Sequence, residues 1–275
     1  MSNLLQNILP EKTKASIGRQ LRNLRLHSLE AKAYRAYSDL PENENINLMI
    51  FAQGRTGSTL LESLISSNHE FHPLHEVISK ANTAWKRRLK DPNKYIEGLS
   101  KINADKNIVC HVKINHLIGH QKVDPSKFIK RTPEHWKLIY LYRENIVLHA
   151  LSTFIADARK TYHTTDENLA INKIDIDIRY FEKLAKGRLN DRQKELDALG
   201  DRERLTIEYE KGLIDNEAQQ RTLDQVADFL GLEAWKAETS LKKVNKSELR
   251  DLISNYDEFI ASIQRNAWQA YIESQ

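Results

Sequence analysis

Apolar residues fall into two periods along this chain. A short dense run, Leu48-Met49-Ile50-Phe51-Ala52, has the length and composition of a buried central strand. Gly54 and Gly57 bracket a tight turn behind it, and Leu60, Leu61, Leu64 and Ile65 then recur at helical spacing, so a helix starts at Gly57 or Ser58. Further strands are expected at Asn107 to Lys113, at Lys137 to Tyr142 and at Arg204 to Glu208. The stretch from His69 to Val77 reads as a loop or a strand edge, because proline and several ionisable side chains crowd it. Helices are expected over 11–37, 79–103 (surface-exposed, with Lys86, Arg87, Arg88 and Lys90 clustered), 146–158 and 173–199, around Leu223 to Leu230 closed by Gly231, and over a final segment marked by Phe259, Ile260, Ile263, Trp268 and Tyr271. Strands alternating with helices predict a three-layer αβα fold around a mostly parallel sheet, with ligands beyond the carboxyl ends of the strands. Pro41 in a polar break separates residues 1–45, a helical extension, from a domain over 46–275.

A strand, a glycine turn and a helix N-terminus form an anion site, since the free N–H groups of the first turn and the positive end of the dipole face the turn. The loop is not a Walker A sequence: its glycines are three apart and Ser58, not lysine, follows the second. It carries Arg55 and three hydroxyls, Thr56, Ser58 and Thr59. Arg143 stands at the end of another predicted strand, so both arginines reach one sheet edge.

Composition changes this picture little. The chain has 275 residues, 42 basic against 38 acidic, for a net charge of +4, too mild to argue for nucleic acid and suited to a small polyanion. A lone cysteine, Cys110, lies in an apolar stretch and reads as a buried side chain; with no disulfide, no signal-peptide core and no apolar run of about 18 residues, a cytoplasmic protein is expected. The basic helix at 11–37 admits two readings: weak contact with an anionic membrane surface, or an outer helix packed on the domain or on a homodimer mate.

The loop resembles the 5′-phosphosulfate loop of sulfotransferases that use 3′-phosphoadenosine 5′-phosphosulfate (PAPS), and in particular the R-[ST]-G-[ST]-[ST] form of bacterial carbohydrate sulfotransferases of the trehalose and nodulation-factor type. Tyr140 to Ser152 resembles that family's 3′-phosphate motif, an arginine at a strand end and a serine about nine residues on. His75-Glu76-Val77 is similar to the place of a catalytic glutamate, although His75 stands where the family has glycine. Lys113-Ile114-Asn115-His116 resembles the K-x-H step of cytosolic sulfotransferases, lengthened by one residue. Thr206 to Glu210 looks like the Y-E-[DE]-L strand end, and Leu241 to Asn245 looks like the C-terminal loop over the nucleotide.

The resemblance covers about 46–260. It implies that Gly54, Arg55, Thr56, Gly57, Ser58 and Thr59 bind the phosphosulfate, that Arg143 and Ser152 bind the 3′-phosphate, and that Tyr209 and Lys243 complete the nucleotide site. It further implies catalysis by Glu76 or His116 with Arg55, a carbohydrate or glycolipid acceptor, the product PAP, and no metal. The rivals are a P-loop-like kinase or NTPase, and a nucleotide-binding module without chemistry.

Overall fold

The computed structural model describes residues 10–42, 44–159, 173–241 and 248–273. At its centre lies β1 (Asn47–Ala52), every residue of it buried. It is flanked in parallel by β3 (Asn107–Lys113) and β4 (Trp136–Tyr142), with β2 (Phe71–His75) and β5 (Leu205–Glu208) at the edges, in the order β2-β3-β1-β4-β5. The ambiguous stretch around Pro73 is therefore an edge strand, the position where a residue without an N–H does least harm to a ladder.

Successive β1 residues face opposite layers. Met49 and Phe51 join Tyr95, Leu99, Trp136 and Leu199 on one face, while Leu48 and Ile50 join Leu61, Leu64, Leu223 and Val226 on the other. The sheet is thus covered on both sides, which is why its strands read as continuous apolar runs. The helices are α1 (Glu11–Asp39), α2 (Ser58–Ile65), α3 (Pro92–Ile102), α4 (Pro125–Arg131), α5 (Ile146–Arg159), α6 (Ile178–Leu199), α7 (Asn216–Leu230) and α8 (Tyr256–Arg265). A separate apolar cluster joins α5, α6 and α8 through Val147, Leu151, Phe181, Phe259 and Ile263.

Four expectations need correction. Residues 79–103 are not one exposed helix: Trp85 and Lys86 have positive φ, and α3 begins only at Pro92, where the Asp91 carboxylate accepts from Asn93 and Lys94 N–H at 3.1 and 3.3 Å. Its Tyr95, Ile96 and Leu99 are core. Helix α4 was not anticipated, although Asp124-Pro125 carries the same start signal, a capping carboxylate followed by proline at the first helical position. Residues 173–177 precede α6 rather than form its start, with Ile174 bridging in parallel to Ile253. The final segment breaks at Ala267 (φ 55), so Trp268 and Tyr271 lie beyond α8.

Helix α1 presses on α3 so closely that a Cβ on Gly98 would run into the Ala33 carbonyl oxygen. The carboxyl-terminal half of α1 is the docked half: Ala33 and Ala36 are buried, whereas Leu21 and Leu24 are exposed. Cys110 is a buried free thiol. Among the described residues, no helix is long and apolar enough to cross a membrane.

Candidate functional site

The register lines up the carboxyl ends of the inner strands. Ala52 is level with Lys113 of β3 and with Leu141 of β4, and Tyr142 is level with Glu208 of β5. The segments leaving these strands form one continuous edge, with the glycine loop at its middle, where a ligand site is expected in such sheets.

Gly57 caps α2 with φ 89, and Arg55 also has positive φ, at 71°. A Cβ on Gly57 would meet the Tyr209 ring at 2.8 and 2.9 Å, so the glycine is needed both for its backbone angle and for the ring packed against it. Thr56 is fully buried and its Oγ1 donates to the Gln53 carbonyl at 2.9 Å; the hydroxyl shapes the loop from inside. Ser58 is buried at the first helical position, and Thr59 is half-buried beside it. A Cβ on Gly54 would meet nothing within 4 Å, so the space above the first glycine is open.

Behind the loop stands His149, on the buried face of α5. Its Nε2 is 2.8 Å from the Gly54 carbonyl oxygen, a contact in which the ring donates. Burial, reinforced by the charges of Arg188, Arg143 and Arg55, holds this imidazole well below its ordinary range, so it is neutral. Three guanidinium groups thus bear on one buried point at the loop. Arg143 donates through Nε to Glu210 Oε1 at 3.0 Å and lies 4.5 Å from the centre of the Tyr209 ring. Tyr209 therefore serves as a platform between the loop and Arg143. Ser152 donates to the His149 carbonyl at 2.7 Å, so its proton is used within α5.

Arg188 reaches this point from α6. Its guanidinium makes a 3.4 Å hydrogen bond to Thr153 Oγ1, its Nε is buried without a partner, and burial together with Arg55 lowers its affinity for its proton. The buried acid closest to it in chain, Glu195, accepts from Gln53 and Tyr140 at 3.2 Å each, and burial pushes its carboxyl up to about 8. At neutral pH this carboxyl is protonated, which leaves Asp191 as the acid whose charge bears on Arg188.

On the other side of the loop, Glu76 follows β2. Its Oε1 pairs with Lys113 Nζ, and its Oε2 is 3.6 Å from His116 Nε2. Burial pushes the Glu76 carboxyl up, but Lys113 and His116 outweigh it and hold the group below its usual range. Burial first, and Lys113 as well, push His116 down to about 4 against the pull of Glu76, leaving a neutral imidazole. A cavity of about 420 Å³ opens beside these groups, lined by Glu76, Ser79, Lys80, Asn115, His116 and His120. His116 itself opens a π-helical turn over His116–Gln121, a geometry common at functional sites.

Ten of the residues expected from the sequence, from Gly54 to Thr59 with Glu76, His116, Arg143 and Tyr209, lie along this one edge, and Ser152 stands behind it on α5. Lys243 falls outside the described residues. The sequence reading passed over Lys113 as a charge partner, and over His149, Arg188 and Glu195. The visible signals were weak: a histidine inside the apolar run Ile146 to Leu151, and an acid on the buried stripe of a charged helix.

No protein-family model matches the chain, and no curated protein matches it. Among solved structures it is similar to a sulfotransferase from Alicyclobacillus acidocaldarius at 12% identity, covering 83% of this chain and 96% of that one with a TM-score of 0.45. A mouse sulfotransferase complexed with PAP matches at 18% identity over 74% of this chain and 63% of its own, with a TM-score of 0.43. The sulfotransferase domain from the curacin biosynthetic pathway matches at 14% identity over 76% and 80%, with a TM-score of 0.41. At that level of likeness, the chemistry of those proteins does not carry over to this chain.

Proposed function

We propose that this chain is a PAPS-dependent sulfotransferase acting on a hydroxyl of a carbohydrate or glycolipid. The observation that carries the reading is the division of one sheet edge into a cationic half around the glycine loop and an acid–base half beside a cavity. The donor fits the residues present: a first-turn anion site, open space above Gly54, and a half-buried guanidinium at Arg188 with no carboxylate hydrogen-bonded to it among the described residues.

In this reading the N–H groups of 55–59 and the Arg55 guanidinium hold the 5′-phosphosulfate and offset charge on the departing phosphate. Arg143, whose Nε is engaged by Glu210, offers its remaining N–H groups to the 3′-phosphate, and Ser152 joins it by turning its hydroxyl away from the His149 carbonyl. Glu76 accepts the acceptor's proton as the new sulfur–oxygen bond forms and the bond to the phosphate oxygen breaks. The product nucleotide is PAP. Lys113 keeps Glu76 ionised at neutral pH, ready to accept. His116 as base is the second reading, favoured by its neutral imidazole on the same cavity. Tyr209 supports the nucleotide site from below, and Lys243 belongs to the segment expected to close over it.

The deciding experiment is thermal unfolding with PAP against ATP–Mg²⁺. Binding to the native state adds RT ln(1 + [L]/Kd), about 2.7 kcal/mol at a hundred times Kd. PAP without metal is expected to raise Tm. A shift with ATP–Mg²⁺ and none with PAP would overturn the reading in favour of a kinase or NTPase, and PAP binding without sulfate transfer to any sugar hydroxyl would leave a binding module.

A further inference from the structure

Beneath the acid–base half lies a cluster the reaction does not use. Glu62 sits in the middle of α2, 1% exposed, on the helix face that otherwise buries Leu61, Leu64 and Ile65. A carboxylate there is costly unless it is partnered. Its partners are two imidazoles from two other elements. Oε2 is 2.8 Å from His75 Nδ1 and 3.3 Å from His111 Nε2, and Oε1 accepts the His75 backbone N–H at 2.8 Å. The three potential ligand atoms lie within 4.8 Å of one another.

We propose that Glu62, His75 and His111 form a site for a divalent first-row transition metal, with zinc as the best match, which ties the middle of α2 to β3 and to the end of β2. This rests on the cluster alone and stands or falls apart from the sulfotransferase reading. Zinc bonds to imidazole nitrogen and carboxylate oxygen of about 2.0–2.2 Å set tetrahedral ligand atoms about 3.4 Å apart. The two separations from Glu62 need only a slight opening to reach that, and the two imidazole nitrogens lie within 4.8 Å of each other. Two nitrogens and one oxygen suit zinc and its neighbours, not magnesium or calcium, which prefer all-oxygen shells.

Two features of the backbone favour ligation. The β2–β3 register shifts between Pro73 and His75, and His75 has φ 59, a strained angle for a residue with a side chain. That bulge turns the His75 ring onto Glu62. The hydrogen bond from the His75 N–H to Oε1 also fixes the carboxylate from outside the ligand atoms, as outer partners of metal ligands do. His111 Nδ1 has no partner, so its ring is oriented only through Nε2, the nitrogen that would ligate. The His75 side chain is 66% exposed, which gives a metal an entry path and leaves a fourth position for water.

The placement has a consequence for the edge above. His75 precedes Glu76, and His111 is two residues before Lys113 on the same face of β3. A metal here would hold the helix that begins at the anion loop against both strands that supply the acid–base pair.

The test uses the full chain, stripped with a chelator, dialysed, and titrated with zinc chloride alone by calorimetry, with magnesium chloride as the control. One zinc per chain is expected, with a rise in Tm that magnesium does not reproduce. Cobalt(II) should give visible bands of tetrahedral type. His75→Ala removes an exposed ring and should fold; it is expected to lose zinc affinity by more than about tenfold and to lose the cobalt spectrum. His111→Gln, checked by circular dichroism, should do the same. Zinc binding of equal strength and stoichiometry in wild type and His75→Ala, or no zinc-dependent rise in Tm in wild type, overturns the proposal.

Discussion

On the β4–β5 side of the glycine loop, Arg188 has a buried Nε and no carboxylate bonded to it among the described residues, Arg143 bonds a single one, and the neighbouring Glu195 is held protonated. On the β2–β3 side the charges are paired: Lys113 with Glu76, and Glu62 between two imidazoles. Both groups border one sheet edge, from strands and from the helices packed on it, yet their electrostatics differ. A half in which three guanidinium groups converge on one loop favours an anion. A half whose charges cancel can receive a neutral hydroxyl compound without a charge to desolvate, and still keep a carboxylate for its proton.

The sharpest way to break the comparison is to neutralise the acid–base half alone. Glu76→Gln keeps the shape and removes the basicity, so turnover with PAPS should fall by about 10²–10⁴-fold while PAP affinity stays at the wild-type value. Steady-state kinetics beside PAP calorimetry would show it; equal losses in both would mean that Glu76 belongs to nucleotide binding. Next in size is Gly57→Ala, which forces a side chain into φ 89 and against the Tyr209 ring. A loss of roughly 2–4 kcal/mol in urea unfolding is expected from the backbone angle and the overpacking together. Unchanged stability would show that the ring moves freely and does not clamp the loop.

The cationic half is tested by Arg188→Met, which keeps the stem and removes the charge. PAP affinity should drop about 10–100-fold, the worth of one charged hydrogen bond, while Tm without ligand stays level or rises because a buried repulsion is relieved. A variant that melts lower and binds PAP normally would make Arg188 a structural residue. The last effect concerns pH. The Glu195 carboxyl is raised from 4.5 to about 8 in the folded chain, so the folded state holds this proton more tightly than the unfolded one. Its contribution to stability is complete below pH 4.5 and is lost as pH rises through about 8. Glu195→Gln removes the titrating group and should flatten that decline, by up to roughly 4 kcal/mol between pH 5 and 9, in urea titrations. Parallel pH curves for the two proteins would place the Glu195 proton elsewhere.

What the sequence made legible is what neighbours in the chain build together. Strand β1, the glycine loop and α2 follow one another within twenty residues, so pattern and motif agree there. Arg143 was readable because it ends an apolar run. The pairing of Glu76 with Lys113 was not, since it needs the β2–β3 register, which a bulge shifts. Arg188 sits in a charged helix whose periodicity marks it as surface, and only the packing of α6 behind the loop brings it inward. Glu62 did leave a mark: a single carboxylate on the buried face of Ser58–Ile65. Helix α4 and the late start of α3 are marked only by two Asp-Pro steps, short local signals beside the charge clusters that dominate those stretches.

The central position of β1 sets a schedule for the newborn chain. Asn47 pairs with Ile108 on one side and Trp136 on the other, and the ring that packs on Gly57 belongs to Tyr209. The glycine loop is synthesised early and is finished late. At roughly 5–20 residues per second, its last packing partner follows it from the ribosome by several seconds to tens of seconds. Until β3 and β4 emerge within that interval, β1, the most apolar strand, has no neighbour on either edge, which makes it the segment a chaperone would most need to cover.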